Sequence, residues 1–178
     1  MSISGPTDGL SIHERLAMAD RVSAHIMIGG TVLRSRYPLL VQAIAHDDAA
    51  VDWDGTPFDP TILPADGPLM LMDHEVANGC FVEIEDICRH LGLHYVRWSG
   101  GSVGSFPSVR VIYLGYGEVQ KFLTTEDDEQ IFGIESIRAL GSIEAIEADY
   151  DRARKNPPPL VLIDTTPGDA VHSEGVHG

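Results

Sequence analysis

Residues 76–98, VANGCFVEIEDICRHLGLHYVRW, contain the local unit that decides the fold. A turn at Gly79 leads into a predicted helix over 81–91, which Gly92 ends by supplying a left-handed residue. The apolar residues of this helix recur at i, i+3, i+4 and i+7, the spacing of one buried face: Ile84, Ile87, Cys88 and Leu91. Residues 94–98 then predict a strand. We expect this helix and strand to form the structural centre of the domain.

The residues before this unit predict an N-terminal pair of helices. Ser11 and Glu14 have the spacing of a capping box, and apolar residues follow at helical intervals as far as Gly29-Gly30. Pro38 opens a second helix that closes at 46–48. Its predicted buried stripe contains four residues: Leu39, Leu40, Ala43 and Ile44.

The middle and the end of the chain are rich in predicted strands. Residues 52–68 carry four prolines and two Asp-Gly pairs, which indicates a long loop. The remaining elements are a buried strand at 69–72, strands at 109–114, 118–124 and 130–134, a helical turn at 136–140, a helix at 143–155 capped by Ser142 with Ile143 facing inward, and an edge strand at 160–163.

This order of elements predicts an α+β fold. We expect an N-terminal helical pair, a central antiparallel β-meander packed on helices, a C-terminal helix and a disordered tail. The domain limits follow: a flexible N-terminus at 1–10, a single α+β domain at 11–164 and a disordered tail at 165–178.

The charge of the chain is strongly acidic, with 12 Lys and Arg against 27 Asp and Glu and a net charge of −15. Residues 38–88 contain eleven carboxylates and no Lys or Arg. Such a surface repels phosphate backbones, which argues against direct binding of nucleic acid and favours a basic protein partner. The predicted interaction residues are Asp47, Asp48, Asp52, Asp54, Glu83, Glu85, Asp86, Glu126, Asp127, Asp128 and Glu129.

The sequence also predicts the compartment. No run reaches the roughly 18 apolar residues that a membrane helix needs, and the first ten residues lack the pattern of a signal peptide. Two cysteines do not provide a disulfide framework for a chain of this length. We therefore expect a cytoplasmic protein without a membrane partner.

Cys80 is the one candidate catalytic residue. A cysteine at a helix N-terminus has a lowered pKa, and a nucleophile of this kind needs a histidine base on a later strand. After His94 the next histidine is His172, near the end of the chain, so the pattern provides no base for Cys80. A zinc site at Cys80, Cys88, His90 and His94 conflicts with the helix phase, since Cys88 and His90 lie on different sides. We expect no metal and no cofactor.

These patterns favour a non-enzymatic acidic accessory protein that binds another macromolecule through its negative surface. A concrete form is an inhibitor or decoy of a nucleic-acid-binding protein. Two alternatives remain open: a small cysteine-dependent hydrolase or transferase that uses Cys80, and a self-assembling structural component, which would be a homo-oligomer.

Overall fold

The structure is a computed structural model that describes residues 19–165. Within them the chain forms four helices and a six-stranded sheet, which confirms the predicted α+β class. The elements are β1 (Arg21–Leu33), α1 (Tyr37–His46), β2 (Leu69–Ala77), α2 (Val82–Leu91), β3 (His94–Ser99), β4 (Val109–Leu114), β5 (Gln120–Leu123), α3 (Ile134–Leu140), α4 (Ile143–Ala153) and β6 (Leu160–Ile163).

The sheet is built around β1. Its strand order is β2-β1-β3-β4-β5, and all of these neighbours are antiparallel. The last four residues of β1, from Gly30 to Leu33, pair in parallel with β6. The predicted meander of β3, β4 and β5 is confirmed, and so is the strand at the C-terminal end.

The predicted helix that ends at Gly29-Gly30 is wrong where the structure describes it, because residues 21–33 form the 13-residue strand β1. Residues 11–18 lie outside the described residues. Ala24, Ile26 and Ile28 are buried at every second position, as expected of a strand that has one face packed on the core. A Cβ on Gly29 would lie 1.8 Å from the carbonyl oxygen of Pro158, so this glycine permits a close approach of two chain segments.

The main core lies between the sheet and the two helices α1 and α2. It contains Ile26, Ile28 and Tyr95 from the strands, and Leu40 and Ile84 from the helices. Each of these side chains is fully buried, and burial of such a side chain contributes about 1.5–3 kcal/mol. A smaller cluster joins Val96, Ile112 and Phe122 of the sheet to Ala153 of α4.

Several local predictions have clear outcomes. α2 ends at Gly92, whose φ of 67° is left-handed, and α4 begins at Ser142, whose hydroxyl accepts a hydrogen bond from the backbone N–H of Ala145 at 3.2 Å. Both features confirm the predicted caps.

The predicted inward position of Ile143 is wrong, since this side chain is exposed. The strand at 130–134 is also wrong: residue 130 forms one isolated bridge, and α3 begins at 134.

The predicted flexible N-terminus at 1–10 and nearly all of the predicted tail at 165–178 lie outside the described residues. The domain limits therefore stay predictions. Among residues 19–165 there is no helix with the length and apolar character that crossing a membrane requires.

Candidate functional site

Glu85 is buried, so its predicted place on the exposed side of α2 is wrong. Arg97 of β3 donates from Nε to Glu85 Oε1 at 2.7 Å, and the Tyr95 hydroxyl donates to Glu85 Oε2 at 3.2 Å. Arg97 Nη1 also donates to the carbonyl oxygen of Gly79 at 2.6 Å and to Ser99 Oγ at 2.9 Å. This network fixes α2 and the turn before it to the sheet. Glu85 therefore has a structural role inside the domain.

Cys80 lies in the turn between β2 and α2, half-buried, and α2 has Phe81 as its N-cap. Its Sγ donates to the carbonyl oxygen of Asn78 at 3.5 Å, and no histidine of residues 19–165 forms a hydrogen bond with it. Burial raises the pKa of the thiol, an effect that the nearby Arg97 opposes. The thiol is therefore protonated near neutral pH, and no histidine of the described residues is bonded to it as a base.

The four residues weighed as zinc ligands are not brought together. Cys88 is fully buried against the core, and burial raises the pKa of its thiol far above the ordinary value. His90 is exposed, and His94 begins β3, where burial lowers the pKa of its imidazole. No group of three or more His, Cys, Asp or Glu side chains suited to a metal ion occurs within 19–165.

Asp47 caps α2 from the end of α1. Its two carboxylate oxygens accept hydrogen bonds from the backbone N–H groups of Glu83 at 3.4 Å and Ile84 at 2.9 Å. Burial raises the pKa of Asp47, while these two hydrogen bonds act in the opposite direction. The carboxylate satisfies N–H groups that the first turn of a helix leaves without intrahelical partners. Its role is to join the two helices.

Four further carboxylates form what we term the helix-side patch: Asp48, Asp52, Asp54 and Glu83. Asp48 lines a cleft together with Gly55, which places it beside the 52–55 turn. Glu83 lies at the start of α2, where its backbone N–H donates to Asp47, the residue before Asp48. No Lys or Arg of residues 19–165 lies within salt-bridge distance of any of the four. The neighbouring Asp86 differs, since it pairs with Arg89.

Asp52 shapes the loop part of the patch. Its Oδ1 accepts hydrogen bonds from the backbone N–H groups of Asp54 at 3.1 Å and Thr56 at 2.9 Å. Hydrogen bonds from Thr56, the side chain first, hold the pKa of Asp52 below its ordinary value. The carboxylate therefore stays charged at neutral pH and holds Asp54 at a fixed place on the surface.

The second acidic group, residues 126–129, is termed the acidic turn. Glu126 accepts hydrogen bonds from the Ser108 hydroxyl and from the backbone N–H of Gly101 at 3.1 Å. Asp128 forms an ion pair with Arg110 of β4. Burial raises the pKa of Asp128, and Arg110 opposes that rise.

The end of the acidic turn is also satisfied within the chain. Glu129 accepts a hydrogen bond from the Tyr150 hydroxyl at 3.2 Å and lies 3.9 Å from Arg154. Arg110 also donates to Asn156 Oδ1 at 3.2 Å, which links the turn to the segment after α4. Asp127 is the member of the turn whose exposed carboxylate has no hydrogen-bond or ion-pair partner among residues 19–165. The acidic turn therefore attaches α4 to the sheet.

The eleven predicted interaction residues thus fall into two sets. Outside the helix-side patch every residue except Asp127 has a partner among the described residues. Within the patch only Asp52 has one, in the backbone of its own loop. Apart from the Asp86–Arg89 pair, which is three residues apart on α2, local sequence does not indicate these partners. Ser108, Arg110 and Arg97 are distant in sequence from the carboxylates that they contact.

No family model, curated protein or solved structure matches the chain. The chemistry of the described side chains is therefore the basis for its functional assignment.

Proposed function

We propose that this is a non-enzymatic, cytoplasmic accessory protein that binds a basic macromolecule through the helix-side patch. The observation that carries the proposal is the contrast in pairing. Among residues 19–165, the carboxylates of Asp48, Asp54 and Glu83 accept no hydrogen bond and form no ion pair, and Asp52 is bonded only within its own loop. Three of the four carboxylates in the acidic turn are instead bonded to groups of other elements. An uncompensated negative patch attracts a cationic surface and accelerates its association.

The partner class that fits this patch is a protein whose own ligand is nucleic acid. Such proteins hold phosphates with Lys and Arg side chains, and the same side chains form charge-assisted hydrogen bonds with carboxylates. With a net charge of −15, the chain itself would be repelled by a phosphate backbone. Occupation of the partner's basic channel would make the protein an inhibitor or a decoy.

The enzymatic alternative finds little support at Cys80. Its raised pKa and the lack of a histidine bonded to it among the described residues both oppose nucleophilic catalysis. Alkylation by iodoacetamide between pH 6 and pH 8, mapped by mass spectrometry, should be slower at Cys80 than at a free thiol. Faster alkylation than a free thiol at pH 6 would restore the enzymatic hypothesis.

Self-assembly stays a prediction. Light scattering tests it, because this method measures the molecular mass of the purified protein in solution.

The docking proposal is tested by capture of partners from the native host. The patch variant combines Asp48→Asn, Asp54→Asn and Glu83→Gln, and removes three charges. We expect the wild-type protein to retain a basic protein at low salt and to release it at high salt, because exposed charge interactions are screened. The patch variant should retain little of it.

A matched control variant removes three exposed charges elsewhere: Glu118→Gln, Asp127→Asn and Glu147→Gln. It has the same net charge as the patch variant. We expect it to capture the partner as the wild-type protein does. Equal loss in both variants, or retention by the patch variant, would show that the patch is not the docking surface.

A further inference from the structure

A shallow channel, termed the α1–α2 groove, runs between α1 and α2 on the side away from the sheet. It has a volume of about 390 Å³. Each helix contributes four residues at i, i+3, i+4 and i+7, which form one stripe along a helix. The stripes are Leu39, Gln42, Ala43 and His46 from α1, and Glu83, Asp86, Ile87 and His90 from α2.

The floor of the groove is apolar, and its rim carries two carboxylates and two imidazoles. Leu39, expected from the sequence to be buried, is 39% exposed, and Ile87 is only partly buried beside it. Glu83 and Asp86 lie along the α2 side. The groove extends for about two helical turns, or roughly 10 Å, since seven residues separate the ends of each stripe.

We propose that the α1–α2 groove binds one basic amphipathic helix of the partner. The proposal rests on the function proposed above, because it takes the partner to be basic. Apolar side chains of that helix, spaced at i, i+3 and i+7, would pack on Leu39 and Ile87. Its Lys and Arg side chains would reach Glu83 on the rim.

Charge complementarity favours this occupant. Residues 38–88 contain no Lys or Arg that would repel a cationic helix. Two arginines flank the stripes. Arg36 is exposed just before α1, and Arg89 is engaged within the chain: its Nη1 donates to the Tyr95 hydroxyl at 3.1 Å and its Nη2 to Asp86. Glu83 is thereby left to accept an incoming cation.

The walls of the groove favour a helix over an extended peptide. An added strand needs an unpaired backbone edge, and the walls here are helices whose backbone groups are bonded internally. A helix instead uses side-chain packing, for which two stripes of side chains along neighbouring helices are suited.

The test uses two synthetic 18-residue peptides of Leu, Lys and Ala with the same composition and charge. One places Leu at helical spacing on one face, and the other distributes Leu around all faces. Calorimetry should show at least about tenfold tighter binding of the amphipathic peptide, because only it can bury its leucines together. In NMR titrations of the ¹⁵N-labelled protein the shifts should centre on Leu39, Ala43 and Ile87.

Leu39→Ser is the test variant, and Val103→Ser, which changes a fully exposed side chain in the loop between β3 and β4, is its control. We expect Leu39→Ser to weaken the amphipathic peptide about tenfold through lost apolar contact. Val103→Ser should leave its affinity unchanged.

Equal affinities for the two peptides, shifts centred outside the groove, or an unaffected Leu39→Ser variant would each overturn the groove proposal. Such a result leaves the docking proposal standing if the patch variant still loses the captured host partner. Capture that does not depend on the patch would overturn the docking proposal as well.

Discussion

The helix-side patch and the acidic turn look alike in the sequence, but they differ in what surrounds each carboxylate. In the acidic turn, Asp128 forms an ion pair with Arg110, and Glu126 accepts hydrogen bonds from a hydroxyl and a backbone N–H. In the patch, Asp48 and Glu83 have no Lys or Arg partner among residues 19–165. The turn therefore holds the fold together, while the patch keeps its charge available.

This difference shows that a high density of acidic residues does not by itself make a binding surface. A carboxylate that is already bonded within the chain contributes to stability, and removing it weakens the fold. An unpaired exposed carboxylate contributes little to stability, and removing it changes long-range attraction instead. The two roles can be separated by measuring unfolding and binding on the same variants.

The largest effect is expected for Glu85→Ala. This change leaves the Arg97 guanidinium, which is 3% exposed, without its carboxylate. Removing one member of a buried ion pair costs about 3–5 kcal/mol, and urea unfolding should show a loss of this size.

The control replaces both members, as Glu85→Leu with Arg97→Met. It should recover part of the loss, because no buried charge remains unpaired. If Glu85→Ala lowers the free energy of unfolding by less than about 1 kcal/mol, Glu85 contributes no more to stability than a surface carboxylate does.

Asp128→Ala should have the next largest effect. Arg110, whose side chain is 11% exposed, would lose its ion pair and keep only its contact with Asn156. A buried group left without its partner costs about 2 kcal/mol, measurable by urea unfolding. Asp127→Asn, at the exposed neighbour, should change the free energy of unfolding by less than about 0.5 kcal/mol. Equal effects would remove the distinction between bonded and unbonded members of the turn.

Asp47→Ala should lower the free energy of unfolding by about 1 kcal/mol, since the cap of α2 is lost. Asp47→Asn keeps an acceptor oxygen and should cost less. Thermal unfolding of both variants checks the order, and a larger loss in Asp47→Asn would contradict the capping role.

The pH dependence of Asp47 follows from its raised pKa. A carboxyl group with a higher pKa in the folded state stabilises that state when protonated. This stabilisation is fully present below the unfolded pKa and is lost as the pH rises through the folded pKa. The neutral amide introduced by Asp47→Asn does not titrate, so the variant should gain stability relative to the wild-type protein over that pH window. An unchanged difference in urea unfolding across the window would show that burial does not raise this pKa.

The smallest effect on stability is expected for the patch variant. Its three carboxylates have no Lys or Arg partner in the described residues, so the free energy of unfolding should change by less than about 0.5 kcal/mol. Relief of repulsion between like charges would make the change slightly stabilising. A loss above about 1 kcal/mol would mean that the patch is structural, like the acidic turn.

Local sequence signals were sufficient for α1, α2 and the meander, and insufficient for β1. Gly92 and Ser142 are caps whose chemistry acts within a few residues, so their helices were predictable. In β1, Ala24, Ile26 and Ile28 fit a strand, and neighbouring apolar residues also fit a helical period. Pairing with β2 and β3, which are distant in sequence, decides between the two.

The candidate site was predictable in composition but not in detail. Charge counting located both acidic regions, and it did not show which carboxylates are bonded. The signal missed was Arg97, a cation inside a strand whose other residues are largely buried, since such a residue needs a buried anion. Helix phase alone placed Glu85 on the exposed side of α2, because the partner lies on another element.

The most direct test of the central claim is carbodiimide footprinting of carboxylates in the complex captured from the host. Modified sites would be compared between the free and the bound protein by mass spectrometry. We predict protection of Asp48, Asp54 and Glu83 on binding, with Asp127 labelled equally in both states. Protection of Asp127 with unchanged labelling of the helix-side patch would contradict the account.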